Sequence, residues 1–264
     1  MQALVLAGRR GGGDGMADAA GLRHRALLSI AGTPMLERVV TAIFRSGVAS
    51  SVAISCDDPE LLRGTPELAR LSSPAMAFLR FHQSGASPAS SVADFFENSA
   101  EGEPVLVTTA DHPLLTPEMI CYFLEEAGRS TADFVVAMVP ATVYRKQFPD
   151  QPRTFIPLRG EKYSGANLFF LRTPKAAAVA RFWTRAEAHR KTPWKLVSVF
   201  GLTNLLLFLL VRLDLAAALR RASSIIGASI EAVELPFAEA ALDVDKEADR
   251  VAVEAVFAQR NAGS

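Results

Sequence analysis

The sequence predicts a doubly wound α/β domain, with a mostly parallel sheet flanked by helices. Three observations carry that expectation. Short apolar runs of strand length alternate with helix-like stretches along most of the 264 residues, as crossover connections between parallel strands require. The first run, Ala3-Leu4-Val5-Leu6-Ala7, passes straight into a glycine-rich loop, and a later one, Val105-Leu106-Val107-Thr108, ends at Thr109-Ala110-Asp111-His112-Pro113. Polar and glycine-rich residues therefore gather where strands stop, the position at which open α/β sheets bind ligands. Half the residues are hydrophobic, enough for a sizeable core at this length.

Taken in order, strands are expected at residues 3–7, 51–55, 77–81, 104–108, 134–139, 167–171 and 232–235. Residues 34–46 read as a helix, with Met35, Val39, Ala42 and Ile43 at helical spacing and Gly47 to end it. A second helix begins near Ser90-Ser91 and carries Val92, Phe95 and Phe96. A third follows Thr116-Pro117-Glu118, where threonine suits the N-cap and proline the first turn. Composition changes near Phe182, and residues 182–227 read as a wholly helical, basic insertion into one domain spanning 1–264. Between Arg185 and Arg221, seven basic side chains face only Glu187 and Asp214. A strand-like segment and a final helix over about 246–258 then restore the α/β pattern.

Charge and cysteine content narrow the function classes. Twenty-eight basic residues balance 28 acidic ones, so no general attraction to nucleic acid is expected and any basic site must be local. Cys56 and Cys121 are too few for a disulfide framework or a cysteine-rich metal site, which suits a reduced, cytoplasmic setting. No basic stretch precedes the first strand as in a secretory signal. The longest apolar run, Leu205 to Val211, is far short of the roughly 20 residues that span a bilayer.

Three clusters carry chemistry. Gly8-Arg9-Arg10-Gly11-Gly12-Gly13-Asp14-Gly15 places five glycines and two arginines in eight residues after a buried strand. Backbone N–H groups free of Cβ atoms and paired arginine donors suit a phosphate, although such a loop also serves as a flexible turn. Asp111 is the first carboxylate beyond an apolar strand, followed by a proline, and suits Mg²⁺ carrying nucleotide phosphates or else shapes a turn. In Leu242-Asp243-Val244-Asp245-Lys246-Glu247-Ala248-Asp249, alternation puts Asp243 and Asp245 on one side of an extended segment. Those two carboxylates read as a metal site or a capping arrangement, and Asp249 as a helix-start cap.

Together these motifs resemble the nucleotidyltransferases of GT-A-like, Rossmann-like fold, in particular the MobA-like group typified by molybdenum-cofactor guanylyltransferase. That family has Leu-Ala-Gly and a basic glycine-rich loop after its first strand, matched by Leu6-Ala7-Gly8 onward. Its Lys-x-Leu-Leu and Gly-x-Pro-Met/Leu-Leu correspond to Arg25-Ala26-Leu27-Leu28 and Gly32-Thr33-Pro34-Met35-Leu36. Its Asp-x-Pro-Leu-Leu corresponds to Asp111–Leu115, and its late Asp-x-Asp-x-x-x-Asp to Asp243, Asp245 and Asp249. The resemblance implies nucleotide binding by Leu6, Ala7, Gly8, Arg9, Gly11, Gly12, Gly13, Ser87 and Ser90, with Arg10 and Arg25 neutralising phosphates. It implies Mg²⁺ or Mn²⁺ held by Asp111 with Asp243 or Asp245. It also places the loop Tyr163-Ser164-Gly165-Ala166-Asn167 at the acceptor, so Gly165 and Asn167 become acceptor-side candidates. Asn167 equally reads as a strand-start residue bonded to backbone. His112 reads as a base, or as a structural or substrate hydrogen-bonder.

The chain departs from the pattern at Arg9, where a glycine is usual, and at Arg25, where lysine is usual. Arginine keeps the charge but offers a planar fork in place of a compact ammonium. The implied reaction moves a nucleoside monophosphate from an NTP to a phosphorylated small-molecule or lipid-linked acceptor and releases pyrophosphate. Trp194, Lys195 and the apolar run to Val211 before Arg212 suit docking at the inner face of an anionic membrane, a buried helix, or a homodimer contact. The rival readings are a nucleotide-sugar-dependent glycosyltransferase and a catalytically inactive nucleotide-binding regulatory protein.

Overall fold

A computed structural model describes residues 1–8, 15–66, 79–99, 102–189 and 213–262. In chain order, β1 (Gln2–Leu6) is followed by α1 (Gly15–Ala19), the short strands β2 (Ser29–Ile30) and β3 (Thr33–Pro34), α2 (Met35–Ser46), β4 (Ser51–Cys56), α3 (Pro59–Arg63) and β5 (Leu79–Gln83). Then come α4 (Pro88–Asn98), β6 (Val105–Thr109), α5 (Pro117–Gly128), β7 (Phe134–Pro140) and α6 (Ala141–Gln147). The chain continues with β8 (Ile156–Pro157), β9 (Lys162–Leu171), α7 (Ala177–His189), α8 (Leu215–Ile226), β10 (Ile230–Glu234) and α9 (Glu247–Ala262).

The main sheet has eight strands in the order β10-β7-β9-β6-β1-β4-β5, with β8 added beside β9. Every pairing is parallel except those of β9, which runs antiparallel to β6, β7 and β8. The expected mostly parallel, helix-flanked sheet is therefore present. β1 lies in its interior, between β6 and β4, and is buried on both faces. Ala3 and Val5 face a cluster that includes Val39 and Ile43 of α2 and Ile120 and Phe123 of α5, whereas Leu4 faces Val92 and Ala93 of α4 and Ala180 of α7. β6 alternates in the same way, with Leu106 on the first face and Val105 and Val107 on the second.

Local chemistry sets the helix ends. Gly47 closes α2 in the left-handed conformation with φ 69°. The Thr116 side chain accepts from the Met119 N–H at the start of α5. Ser87 and Ser90 form a reciprocal capping box at the start of α4, with Pro88 in its first turn. This helix begins at Pro88, before the expected serine pair, because Ser87 supplies the cap.

The difference of most consequence concerns β9. It begins at Lys162, five residues ahead of the expected start at 167, because Tyr163, Ser164 and Gly165 pair with Pro140, Val139 and Met138 of β7. Apolar content marked only the part that also pairs with β6. The compositional break at Phe182 falls inside α7, and residues 190–212, with most of the 194–213 segment, lie outside the described residues. Among the described residues, no helix is long and apolar enough to cross a membrane.

Gly85, before α4, stands where a Cβ would lie 2.5 Å from Ser90 Oγ and 3.3 Å from the Ser90 carbonyl carbon. Gly85→Ala is expected to destabilise the protein by about 1–3 kcal/mol, the usual penalty of overpacking. The same change in a Ser90→Ala background should cost less, because the nearest clashing atom is gone. Urea unfolding of the two single variants and the double variant checks this non-additivity.

Candidate active site

The carboxyl ends of the central parallel strands form one rim. Beyond β1, the Ala7 N–H donates to the Ser55 carbonyl at 2.8 Å, and the Ala110 N–H donates to the Leu6 carbonyl at 2.9 Å. Beyond β4, the Ser84 N–H donates to the Cys56 carbonyl at 2.8 Å. Leu6, Ala7 and Gly8 lie on this rim, and a Cβ at Gly8 would touch Ser84 Oγ at an ordinary 3.5 Å. Arg9, Arg10, Gly11, Gly12 and Gly13 lie outside the described residues.

Asp111 follows Ala110 at the end of β6, and its backbone carbonyl accepts from the Val244 N–H at 2.8 Å. Val244 is fully buried, so the flanking Asp243 and Asp245 are held beside Asp111 on the less buried side of the segment. Asp249 Oδ2 accepts from the Asp245 and Lys246 N–H groups at 3.1 and 3.0 Å, which is the capping role expected for it at the start of α9. The structure thus brings together the acids of two distant motifs through a backbone hydrogen bond.

Arg25 reaches the same segment from the opposite side. It sits in a single 3-10 turn, Arg25–Leu27, whose N-cap is His24: Nδ1 accepts from the Ala26 N–H at 3.2 Å, and Nε2 lies 3.5 Å from Asp57 Oδ1. The Arg25 guanidinium donates to the Val244 carbonyl and, at 3.1 Å, to Asp245 Oδ1. One residue, Val244, therefore anchors Asp111 through its N–H and Arg25 through its carbonyl.

Asp243 is held differently. Its Oδ1 pairs with Arg153, and its Oδ2 accepts from the Asn167 side-chain amide at 3.2 Å. Arg153 Nε also donates to Ser164 Oγ at 2.8 Å, and its Nη2 lies 3.5 Å from the Gly165 carbonyl oxygen. Asn167 has φ 49°, a left-handed backbone inside a strand, at the irregularity where β9 shifts register against β7. Asparagine tolerates that conformation better than most residues. The pairing of β9 with β6 stops at Leu168, so the bulge turns Asn167 toward Asp243 where the ladder ends.

The electrostatics are uneven. Burial raises the Asp111 carboxyl above its ordinary value, the neighbouring Thr109 hydroxyl and Arg25 oppose this, and the charges of Asp243 and Asp245 add to it. Asp111 Oδ1 is sealed from solvent with no hydrogen-bond partner among the described residues. Burial also works against the Asp243 charge, but Arg153 and the Asn167 amide more than offset it and hold that carboxyl below its ordinary value. His112 is 1% exposed, and burial lowers its pKa to about 4, so it is a neutral imidazole in the interior at neutral pH. Ser87 and Ser90 are engaged with each other and with backbone in the capping box.

Among the described residues, no group of three or more His, Cys, Asp or Glu side chains is placed to hold a metal. Two carboxylates nevertheless suit Mg²⁺, which keeps several waters and takes much of its shell from substrate phosphates. The unpartnered Asp111 oxygen beside a second carboxylate is the donor chemistry that such a cation satisfies. Sequence reasoning did not find Arg153. It stands alone in the proline-containing stretch between α6 and β8, with no motif around it.

A model of the MobA-like NTP transferase domain matches residues 3–224. The chain belongs to this family. A solved structure described as a hypothetical transferase from Thermus thermophilus is 30% identical, superposes with a TM-score of 0.76, and is matched over 94% of this chain and 98% of its own. The fold is shared with 2-C-methyl-D-erythritol 4-phosphate cytidylyltransferase from Thermus thermophilus, at 17% identity, TM-score 0.50 and coverage of 96% and 97%. It is also shared with CMP:2-keto-3-deoxy-manno-octonic acid synthetase complexed with CTP, at 16% identity, TM-score 0.57 and coverage of 98% and 100%. None of the curated proteins matches this chain.

A carboxyl whose folded pKa is raised contributes stability that is complete below its unfolded pKa and is lost as pH rises through the folded value. At neutral pH the Asp111 charge is therefore destabilising. Asp111→Asn is expected to raise the melting temperature near pH 7.5 in metal-free buffer, by about 2–4 °C for each kcal/mol recovered at this chain length. The gain should vanish as pH falls toward the ordinary value of 3.8, where the wild-type carboxyl is protonated as well. Calorimetric scans at both pH values check the sign.

Proposed function

We propose that this family member is a nucleotidyltransferase that uses Mg²⁺ or Mn²⁺ to move a nucleoside monophosphate from an NTP to a phosphorylated acceptor, releasing pyrophosphate. The observation that carries this reading is the backbone bond from Val244 to Asp111, which sets Asp111 beside Asp243 at the carboxyl ends of β6 and β1. Asp111, with its unpartnered oxygen, and Asp243 are the cation ligands in this reading. Asp243 is preferred to Asp245 because its charge bears more strongly on Asp111 and because Asp245 is exposed.

In the reaction, an acceptor oxygen attacks the α-phosphorus. The new P–O bond forms as the bond between the α-phosphorus and the bridging oxygen breaks, and that electron pair leaves with pyrophosphate. A phosphate acceptor is largely deprotonated at neutral pH, so attack needs no general base. This agrees with the burial of His112, which leaves that imidazole away from the open rim. A bound divalent cation supplies charge neutralisation and in-line orientation of the phosphates. In this reading Arg25, held by its 3-10 turn, would supply a permanent positive charge to the α-phosphate. Leu6 to Gly13 would cradle the remaining phosphates, and Gly165 and Asn167 would face the acceptor. A lipid-linked phosphate is the alternative acceptor; it rests on the basic and apolar sequence of 194–213 and would place the enzyme at the cytoplasmic membrane surface.

Titration calorimetry of CTP, GTP, ATP and UTP, with and without Mg²⁺, on the wild type and Asp111→Asn tests the reading. Binding of one nucleotide that requires Mg²⁺ and is lost in the variant is the expected result. Binding of none of the four would overturn it and favour a nucleotide-sugar substrate.

A further inference from the structure

Arg153 is the one arginine among the described residues that pairs with Asp243, and it takes no part in the proposed transfer. Its position is built from several directions. Phe148 and Phe155, which bracket its segment, both pack on the buried ring of Tyr144, with ring centroids 5.4 and 5.6 Å away. Arg145 lies over the Phe155 ring at 5.3 Å. The Arg153 side chain is only 18% exposed, that of Asp243 17%, and Ser164 takes the Nε–H at 2.8 Å. An ion pair so enclosed is screened far less by solvent than one on the surface.

The pair leaves the site unbalanced. Arg153 satisfies Asp243 but does not reach Asp111, whose Oδ1 is buried and unpartnered among the described residues. A monovalent guanidinium fixed to Ser164 and Asp243 serves one carboxylate. A divalent cation carries twice the charge on a compact centre and serves both. Both oxygens of Asp243 are engaged, Oδ1 by Arg153 and Oδ2 by the Asn167 amide, so a divalent cation binding Asp243 through Oδ1 would compete with the guanidinium.

We propose that Arg153 is the built-in counter-cation of Asp243, and that a divalent metal loads the site by displacing its guanidinium from Asp243 Oδ1. The proposal rests on the reading of Asp111 and Asp243 as metal ligands. It makes Arg153 a positioning residue: while paired, it fixes the Asp243 carboxylate together with Asn167, and its strength of pairing sets how tightly the metal is held.

Electron paramagnetic resonance titration of Mn²⁺ into the full-length wild type, Arg153→Met and Lys246→Met tests this without any activity measurement. Loss of the competing cation should tighten Mn²⁺ binding by about tenfold or more in Arg153→Met, within the usual range for coupled sites. Lys246 is exposed and close in sequence to the same acids. Its removal controls for loss of one positive charge and should change the affinity by less than about threefold. A second readout uses the intact wild type: the ¹⁵Nε–¹Hε resonance of Arg153, assigned by its absence in Arg153→Met or Arg153→Lys, should shift as Mg²⁺ is added. Mn²⁺ binding that is equal or weaker in Arg153→Met, or an Arg153 resonance indifferent to saturating Mg²⁺, overturns the proposal while the metal reading stands. Failure of Mn²⁺ to bind the wild type and both variants overturns the proposal and the metal reading together.

Discussion

The hydrogen bond from the Val244 N–H to the Asp111 carbonyl is the constraint on which the site depends. It joins the carboxyl end of a central parallel strand to the segment before the last helix, two stretches far apart in the chain. Its geometry follows from the sheet, because Asp111 lies one residue beyond Ala110, which is itself bonded to the end of β1. Val244 is buried, Asp249 caps the turn that follows it, and Arg25 grips its carbonyl. With the backbone held on each side, Asp243 and Asp245 need little further ordering of their side chains to stand beside Asp111. Preorganisation of this kind lowers the entropy lost when a ligand is bound.

The arrangement works against stability as it serves the proposed function. Three carboxylates lie along one rim, and among the described residues only Asp243 and Asp245 have arginine partners there. Asp111 bears the consequence, since its burial and its acidic neighbours all disfavour the charge that a cation site needs. Asn167 adds a left-handed backbone in the middle of a strand. Such residues persist where the surrounding structure over-determines them, and they concentrate at functional sites.

Much of this was legible in the sequence because it is written in local patterns. The alternation along β1 and β6, the Thr116-Pro117 cap and the glycine after α2 each depend on residues within one or two turns. Asp111, Asp243 and Asp245 could be nominated because strand ends and short spacings are local as well. Arg153 could not. Its role is set by a pairing across ninety positions of chain, and the stretch around it carries only proline and exposed polar residues. Nor could the early start of β9, since Lys162 to Gly165 is polar and becomes a strand only because β7 offers partners. Periodicity reports which face is buried; it does not report which neighbour supplies the missing hydrogen bonds.

The most direct measurement of the central claim is an anomalous difference map from crystals grown with Mn²⁺ and the tightest-binding NTP. The account predicts a manganese peak within coordinating distance of both the Asp111 and Asp243 carboxylates and of the nucleotide's phosphates. A peak bound to Asp245 without Asp111, or a nucleotide seated with no metal at this rim, would contradict it.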